Sequence, residues 1–341
     1  MGAPPRSSVS LVVPLRDEAR TLPRLWASVL QQTLPPDEIV LVDGGSTDGT
    51  VALARQLAAR DDRIRVIEAG PATPGRGRNV GIAAARHDWV ALTDGGIALD
   101  PPWLEQLVSV VRREPGVGVV YGNYEPEVRT FFELCASLAY VGVPRDTPAG
   151  KVRGPTASSL LVHRSAWEAV GGFPDRRSAE DLIFFSRVEA LGISTGWAPS
   201  AIARWELRPS LAQTYRRFAL YSAEAVLAGR HRDWHHKVVR YYAFALPFVG
   251  LAAVRHGSWA AVPLGGAVAR VARSIWRRRE GRSLAWVVQP ARFVGVAVVI
   301  VTIDMAMFAG WARAIVLRAR GKVTTGSAAE PDAPGALGRP G

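Results

Sequence analysis

The chain has 341 residues, enough to bury one large core and carry a smaller appendage. Its net charge is +12, and +9 of that lies in residues 241–341, where 13 Lys and Arg face 4 Asp and Glu. Such a basic end meets phosphates or an anionic membrane surface; nucleic acid is not expected, because the basic residues alternate with long apolar runs rather than exposed aromatics. A single cysteine, Cys135, excludes an internal disulfide and suits a reducing compartment. The opening Met1-Gly2-Ala3-Pro4-Pro5-Arg6 lacks the apolar core of a signal peptide, so a cytosolic catalytic part is expected.

In chain order, residues 9–14 read as a short strand stopped by Pro14, with Arg16, Asp17 and Glu18 at its carboxyl end. Leu22, Leu25, Trp26 and Val29 give residues 21–32 a helical spacing, broken by Pro35-Pro36. Ile39-Val40-Leu41-Val42 has the unbroken apolar run of a buried parallel strand and ends in Asp43. Gly44 and Gly45 allow a sharp turn, and Ser46, Thr47 or Asp48 can cap a helix starting near Thr50. An acid at such a strand end can accept hydrogen bonds from a base or ribose, and open α/β sheets bind ligands there. With a helix at 51–60 and a strand at 64–68, the first 70 residues read as a parallel sheet with helices on its faces.

Residues 71–81 read as a loop with a basic core, followed by a helix at 82–86 whose start would present Arg78 and Asn79 to an anion. The glycine spacing is not that of a dinucleotide fingerprint. A strand at 89–93 ends in Asp94-Gly95-Gly96, and Pro101-Pro102-Trp103 opens a helix. Then follow a strand at 117–121, an apolar helix at 131–143, a loop at 150–154 and a strand at 158–163. A helical turn at 166–170 precedes the Gly171-Gly172-Phe173 turn, a helix opened by Glu180-Asp181, a last strand at 194–201 and a rim helix at 213–229.

Beyond Tyr241 the composition shifts. Residues 241–254 carry no charge but are short for a span, whereas 293–312 match a bilayer with Asp304 as their one charge. A charge there costs about 2.5–3.5 kcal/mol on insertion scales, so a buried partner or a shallow placement is required. Arg277-Arg278-Arg279 would lie on the cytoplasmic side; the alternative is a pair of buried helices in a soluble domain. Residues 323–341, rich in Gly, Pro, Ala and Ser, are expected to be a disordered tail.

Asp43, Asp94 and Asp181 stand at expected strand ends or helix starts, with Arg78-Asn79 between them, as in a site for a charged ligand. The glycines after Asp94 let a cation and its phosphates approach the backbone, and Mg²⁺ commonly takes one or two carboxylates plus substrate phosphates. Taken singly, Asp94 could only cap a turn, and Asp181 could be a helix-start acid favoured by the dipole.

Five segments in order carry a resemblance: Val12-Val13-Pro14-Leu15-Arg16-Asp17-Glu18; Ile39 to Thr50; Arg78-Asn79-Val80-Gly81; Thr93-Asp94-Gly95-Gly96; and Glu180-Asp181. Over residues 8–230 the chain resembles a family 2 glycosyltransferase with the nucleotide-sugar-binding GT-A fold, a Rossmann-like mixed α/β sheet with helices on both faces. Residues 231–322 would form a basic, apolar helical region on the membrane. The resemblance implies an inverting enzyme that moves one sugar from a nucleoside-diphosphate sugar to an acceptor hydroxyl; with the apolar, basic end, the expectation is a lipid-linked or cell-envelope glycan acceptor and a place at the cytoplasmic face of the cell membrane.

On that resemblance Pro14, Arg16, Glu18, Asp43, Ser46, Arg78 and Asp94 would meet the donor nucleotide. Asp94 would hold a divalent cation, Mg²⁺ or Mn²⁺, and Asp181 would be the general base. Glu180, Trp205, Gln213 and Arg216 would serve the acceptor side, with 155–159 and Trp167 nearby and His163 in a structural role. Two departures stand out. Gly96 replaces the second acid of the usual metal motif, and Arg217 replaces the Trp of the Q-x-x-R-W segment of processive members, which favours transfer of a single sugar. A catalytically silent relative that binds a nucleotide sugar or a partner enzyme is the alternative. A nucleotidyltransferase is a further one, but it needs a basic Gly-rich loop after the first strand, which 14–18 is not.

Overall fold

A computed structural model describes residues 8–227, 229 and 231–320; the expected tail at 323–341 and the opening six residues lie outside them. The chain divides into two compact units, one of residues 8–129 and 141–207, the other of residues 130–140 and 208–320.

The first unit runs β1 (Val9–Leu15), α1 (Leu22–Leu30), β2 (Glu38–Asp43), α2 (Thr50–Ala58), β3 (Ile64–Glu68), α3 (Pro74–Ala84), β4 (Trp89–Leu92), β5 (Ile97–Leu99), α4 (Trp103–Arg113) and β6 (Val119–Glu127). After α5 (Phe131–Tyr140), which belongs to the other unit, it resumes with β7 (Arg145–Thr147), β8 (Gly150–Val152), β9 (Leu160–His163), α6 (Arg164–Val170), α7 (Glu180–Ala190) and β10 (Thr195–Glu206). Eight strands form one mixed sheet in the order β3-β2-β1-β4-β9-β6-β10-β5, while β7 and β8 pair separately. The first four strands of that order are parallel; β9 runs antiparallel to both β4 and β6.

Side-chain alternation builds the layers. Val9, Leu11, Val13 and Leu15 of β1 and Ile39 and Leu41 of β2 face a core shared with α1, α2 and α4. Val12, Val40 and Val42 face the opposite core, shared with Ile82 of α3, Val170 of α6 and Phe184 of α7. The sheet thus has helices on both faces, as expected, and its loops gather at the carboxyl ends of β1, β2 and β4.

Several expected elements change. Pro14 does not stop β1, which pairs with β2 through Leu15. The Val12 carbonyl accepts from Thr93 on the β4 side and the Leu15 carbonyl from Gly44 on the β2 side. Pro14 shares the parity of Val12 and therefore faces the side where β4 has ended, so its missing N–H removes no ladder bond. The loop expected at 71–81 is mostly helix: α3 begins at Pro74, with Thr73 as a cap whose hydroxyl accepts from the Arg76 amide at 3.2 Å. Its glycines lower helix propensity but permit close packing. A Cβ on Gly81 would lie 2.3 Å from Val12 Cγ1, one on Gly77 3.2 Å from Pro14 Cβ, and one on Gly75 2.1 Å from the Pro174 carbonyl. Strands β5, β7 and β8 were not expected, and 150–154 is partly the strand β8.

The second unit is helical: α5, α8 (Leu211–Leu227), α9 (His231–Val254), α10 (Ala261–Arg277), α11 (Leu284–Val287) and α12 (Pro290–Ala319). Helix α8 packs on α12 at Gly310, where a Cβ would fall 2.2 Å from the Ala219 carbonyl, and the buried Ser222 hydroxyl donates to the Met307 carbonyl at 2.6 Å. Asp304, the charge in the apolar run, is 1% exposed and forms a two-pronged ion pair with Arg270 of α10, at 2.5 and 2.7 Å. The Tyr242 hydroxyl of α9 donates to it at 3.0 Å. The buried partner that the cost of this charge demanded is therefore present, and it ties three helices together.

Candidate active site

The loops after β1 and β2 are laced together. The Asp17 amide donates to Ser46 Oγ at 2.9 Å, and the Thr47 amide to Asp17 Oδ1 at 2.8 Å. The Glu18 amide donates to Thr50 Oγ1 at 2.7 Å, and the Ala19 amide to Asp48 Oδ2 at 3.1 Å. Of the three expected caps, Asp48 reaches the Thr50 amide, at 3.1 Å, while the N-cap position itself is Gly49 in a left-handed conformation, φ +92°. Asp43 is buried, and its carboxylate accepts from the amides of Gly45 (2.9 Å) and Ser46 (3.1 Å), so it holds its own turn. Arg16 is exposed beyond β1.

Arg78 is the centre of the charged cluster. It sits in the second turn of α3, and its Nη1 donates to Glu180 Oε1 at 2.8 Å while Nη2 donates to Asp94 Oδ1 at 2.6 Å. The anion site expected at a helix start around Arg78 and Asn79 is therefore not formed. Asn79 instead ties α3 to the turn before α7, donating to the Phe173 carbonyl (2.7 Å) and accepting from the Phe173 amide (2.9 Å) and Trp167 Nε1 (3.0 Å). The Arg78 side chain is 4% exposed, Glu180's 9% and Asp94's 40%. Burial works against the Arg78 charge, but Asp94, Glu180 and Asp181 more than offset it and hold the guanidinium above its usual range.

Asp181 follows Glu180 at the start of α7, after Ala179, which has φ +63° although it is not glycine. Its Oδ1 accepts from the Leu182 amide at 2.8 Å. Burial pushes its carboxyl up to about 6, with Glu180 adding to the rise and Arg78 opposing it. A carboxyl in that range takes and returns protons near neutral pH. Asp94 and Asp181 thus share one charged cluster, whereas Asp43 serves the neighbouring turn.

The remaining expected residues divide plainly. Trp205 lies on β10 opposite Ile97, its ring 6.4 Å from that of Tyr124. Trp167 is occupied by Asn79, and His163 caps α6 with Nδ1 2.7 Å from Ser165 Oγ. Gln213 and Arg216 are exposed on α8, in the second unit. The residue least legible in the sequence was Glu18 in its actual setting: a Cβ on Gly95 would lie 2.9 Å from Glu18 Cγ, and one on Gly96 3.7 Å from Glu18 Oε2. The signal was the Gly95-Gly96 pair, which leaves room beside the Asp94 turn. Asp94 Oδ2 has no hydrogen-bond partner among the described residues, and no three His, Cys, Asp or Glu side chains among them are grouped closely enough to hold a metal ion.

Comparisons with known proteins agree with this fold. The sequence profile of "Glycosyl transferase family 2" matches residues 10–150. Glycosyltransferase AglE of Haloferax volcanii is 30% identical over 208 residues, covering 59% of this chain and 67% of that protein. Putative glycosyltransferase EpsH of Bacillus subtilis is 28% identical over 237 residues, 64% of this chain and 68% of that one. Among solved structures, the mannosyltransferase PcManGT of Pyrobaculum calidifontis, in complex with GDP-Man and Mn²⁺, superposes with a TM-score of 0.52 at 19% identity, covering 90% of this chain and 86% of that one. The sheet order, the laced strand-end loops and these relatives lead to one conclusion: the chain belongs to glycosyl transferase family 2, and it is a glycosyltransferase with the GT-A fold.

Proposed function

We propose that this enzyme transfers a single sugar, with inversion, from a nucleoside-diphosphate sugar to an acceptor hydroxyl, and that Asp181 is the general base. The observation that carries the reading is the Asp94–Arg78–Glu180–Asp181 cluster, in which desolvation raises the Asp181 carboxyl toward neutrality beside two acids paired to one arginine. Asp181 takes the acceptor proton as the acceptor oxygen attacks the anomeric carbon and the nucleoside diphosphate leaves. Arg78 keeps Glu180 and Asp94 in place and limits how far the Asp181 carboxyl rises. Such a base contributes roughly 10²–10⁴-fold.

The structural relative PcManGT carries GDP-Man and Mn²⁺, which supports a nucleotide-sugar donor and a divalent cation here. The residues fit a cation shared with the donor's phosphates: Asp94 keeps one carboxylate oxygen open, and the glycines beside it leave space. Bound there with the donor, Mg²⁺ or Mn²⁺ would neutralise charge on the departing diphosphate. The test is nucleoside diphosphate release across UDP-, GDP- and dTDP-sugars with either cation. Turnover of one donor supports the reading; donor binding with no turnover on any acceptor favours a silent relative.

The second unit supports a place at the cytoplasmic face of a membrane, with a saccharide or lipid-linked acceptor. Residues 235–254 of α9 and the whole of α12 are long and apolar enough to cross a bilayer, and only 11% and 39% of their most apolar windows are buried, unlike core helices of a soluble protein. Phe244, Leu246, Val254, Leu264, Val294 and Val301 are at least half exposed. Arg279 lies 3.3 Å over the Trp276 ring, and Arg282 4.6 Å over Trp286, a pairing suited to the headgroup level. Flotation of the full chain with vesicles checks this; recovery wholly in the soluble fraction without detergent counts against it.

A further inference from the structure

Gly96 leaves the metal motif one acid short, yet the structure sets another carboxylate beside the gap. We propose that Glu18 supplies this missing carboxylate, so that Glu18 and Asp94 together hold the divalent cation that accompanies the donor diphosphate. The proposal rests on the reading of Asp94 as the cation's first carboxylate. A Cβ built on Gly96 would stand 3.7 Å from Glu18 Oε2 and 4.0 Å from Oε1, so the Glu18 carboxylate borders the space that a side chain at 96 would enter. The Gly95 backbone presses on the same side chain: a Cβ there would meet Glu18 Cγ at 2.9 Å and Leu15 Cδ2 at 2.7 Å. Gly95 is the position that must stay free of a Cβ for the Asp94 turn to lie this close to Glu18.

Glu18 is also held firmly. Its amide donates to Thr50 Oγ1 at 2.7 Å, and its carbonyl accepts from the amides of Thr21 (3.0 Å) and Leu22 (2.8 Å). The Thr21 hydroxyl donates to Glu18 Oε2, the kind of second contact that orients a ligating carboxylate. Asp17, in the left-handed region at φ +56°, turns the chain so that Glu18 faces the Asp94 turn rather than continuing β1. Hard cations favour carboxylate and phosphate oxygens and readily combine two carboxylates with a substrate diphosphate and water. Electrostatics explains the glycine as well. An acid at 96 beside Glu18 would put two like charges at contact distance, so a carboxylate can occupy this corner from residue 18 or from residue 96, but not comfortably from both.

The experiment measures Mn²⁺ uptake by loss of the free-ion electron paramagnetic resonance signal, using the full chain in detergent with saturating GDP or UDP. Glu18→Gln is expected to weaken Mn²⁺ binding by roughly tenfold or more. Nucleoside diphosphate binding without metal is measured in parallel, so that Mn²⁺ uptake is compared with the nucleotide saturating in every variant. Gly96→Asp should restore Mn²⁺ uptake in the Glu18→Gln background and add nothing in the parent. Position 96 can accept the change, since its nearest neighbour is at ordinary contact distance and its φ is not left-handed. Equal Mn²⁺ binding by Glu18→Gln and parent, with loss on Asp94→Asn, overturns the role of Glu18 and leaves that of Asp94 standing. Failure of the parent to take up Mn²⁺, or no effect of either substitution, overturns both. Should Glu18→Gln not fold, Glu18→Asp gives the same discrimination: it should weaken Mn²⁺ uptake at saturating nucleotide, and unchanged uptake refutes the proposal.

Discussion

Replacing Asp181 by Asn should make the enzyme slower and the protein more stable. Burial moves this carboxyl from 3.8 to about 6, so the folded protein binds its proton more tightly than the unfolded chain does. The contribution of the group to stability is then fully present below about pH 4 and is lost as pH rises through about 6. At neutral pH the ionised side chain costs on the order of 2–3 kcal/mol relative to its ordinary environment. Asn has nearly the same shape and no charge to desolvate. The advantage of Asp181→Asn over the parent should therefore be near zero at pH 4, grow between pH 4 and 6, and level off above, where it corresponds to several degrees in the unfolding midpoint of a domain of this size. Thermal unfolding across pH 4–8 measures it, and donor turnover in parallel should fall by roughly 10²–10⁴-fold. An Asn variant equal to or less stable than the parent at pH 7.5, with unchanged turnover, would refute both the burial argument and the assigned role.

Other outcomes follow from the same geometry. Arg78→Lys keeps the charge but cannot fork between Asp94 and Glu180, so the acidic limb of the pH–rate profile should move to higher pH, because a charge no longer fixed between the two acids opposes the rise at Asp181 less strongly; an unmoved limb would show that Arg78 does not tune the base. Gly81→Ala places a methyl 2.3 Å from Val12 Cγ1 and should destabilise the first unit by about 1–3 kcal/mol in denaturant unfolding. Arg270→Ala strands the buried Asp304 carboxylate and should cost roughly 3–5 kcal/mol, whereas the paired change Arg270→Met with Asp304→Leu should be much closer to neutral; unfolding of the detergent-solubilised protein compares the two.

The parallel half of the sheet was legible because its strands announce themselves twice. Ile39 to Val42 is an unbroken apolar run, and each early strand is closed by turn residues before a helix of clear period. The helix α3 was hidden for a physical reason: glycines at 75, 77 and 81 read as loop residues, yet they let the helix settle onto β1, β2 and the turn at Pro174. Losing that helix start also misplaced Arg78, which the sequence put at an open helix end and the structure buries between two acids about a hundred residues apart in the chain for Glu180 and far closer for Asp94. The acids themselves were visible as strand-end and helix-start residues, but their sharing of one arginine is a product of tertiary packing that no local pattern encodes. In the apolar end, the charge at Asp304 required a partner, and only the packing of α10 on α12 identified Arg270.

The most direct test of the central claim is the anomeric configuration of the product. With the donor identified by diphosphate release, ¹H nuclear magnetic resonance of the fresh product should show the configuration opposite to that of the donor, as a single displacement driven by Asp181 requires. A product that keeps the donor's configuration would contradict the account.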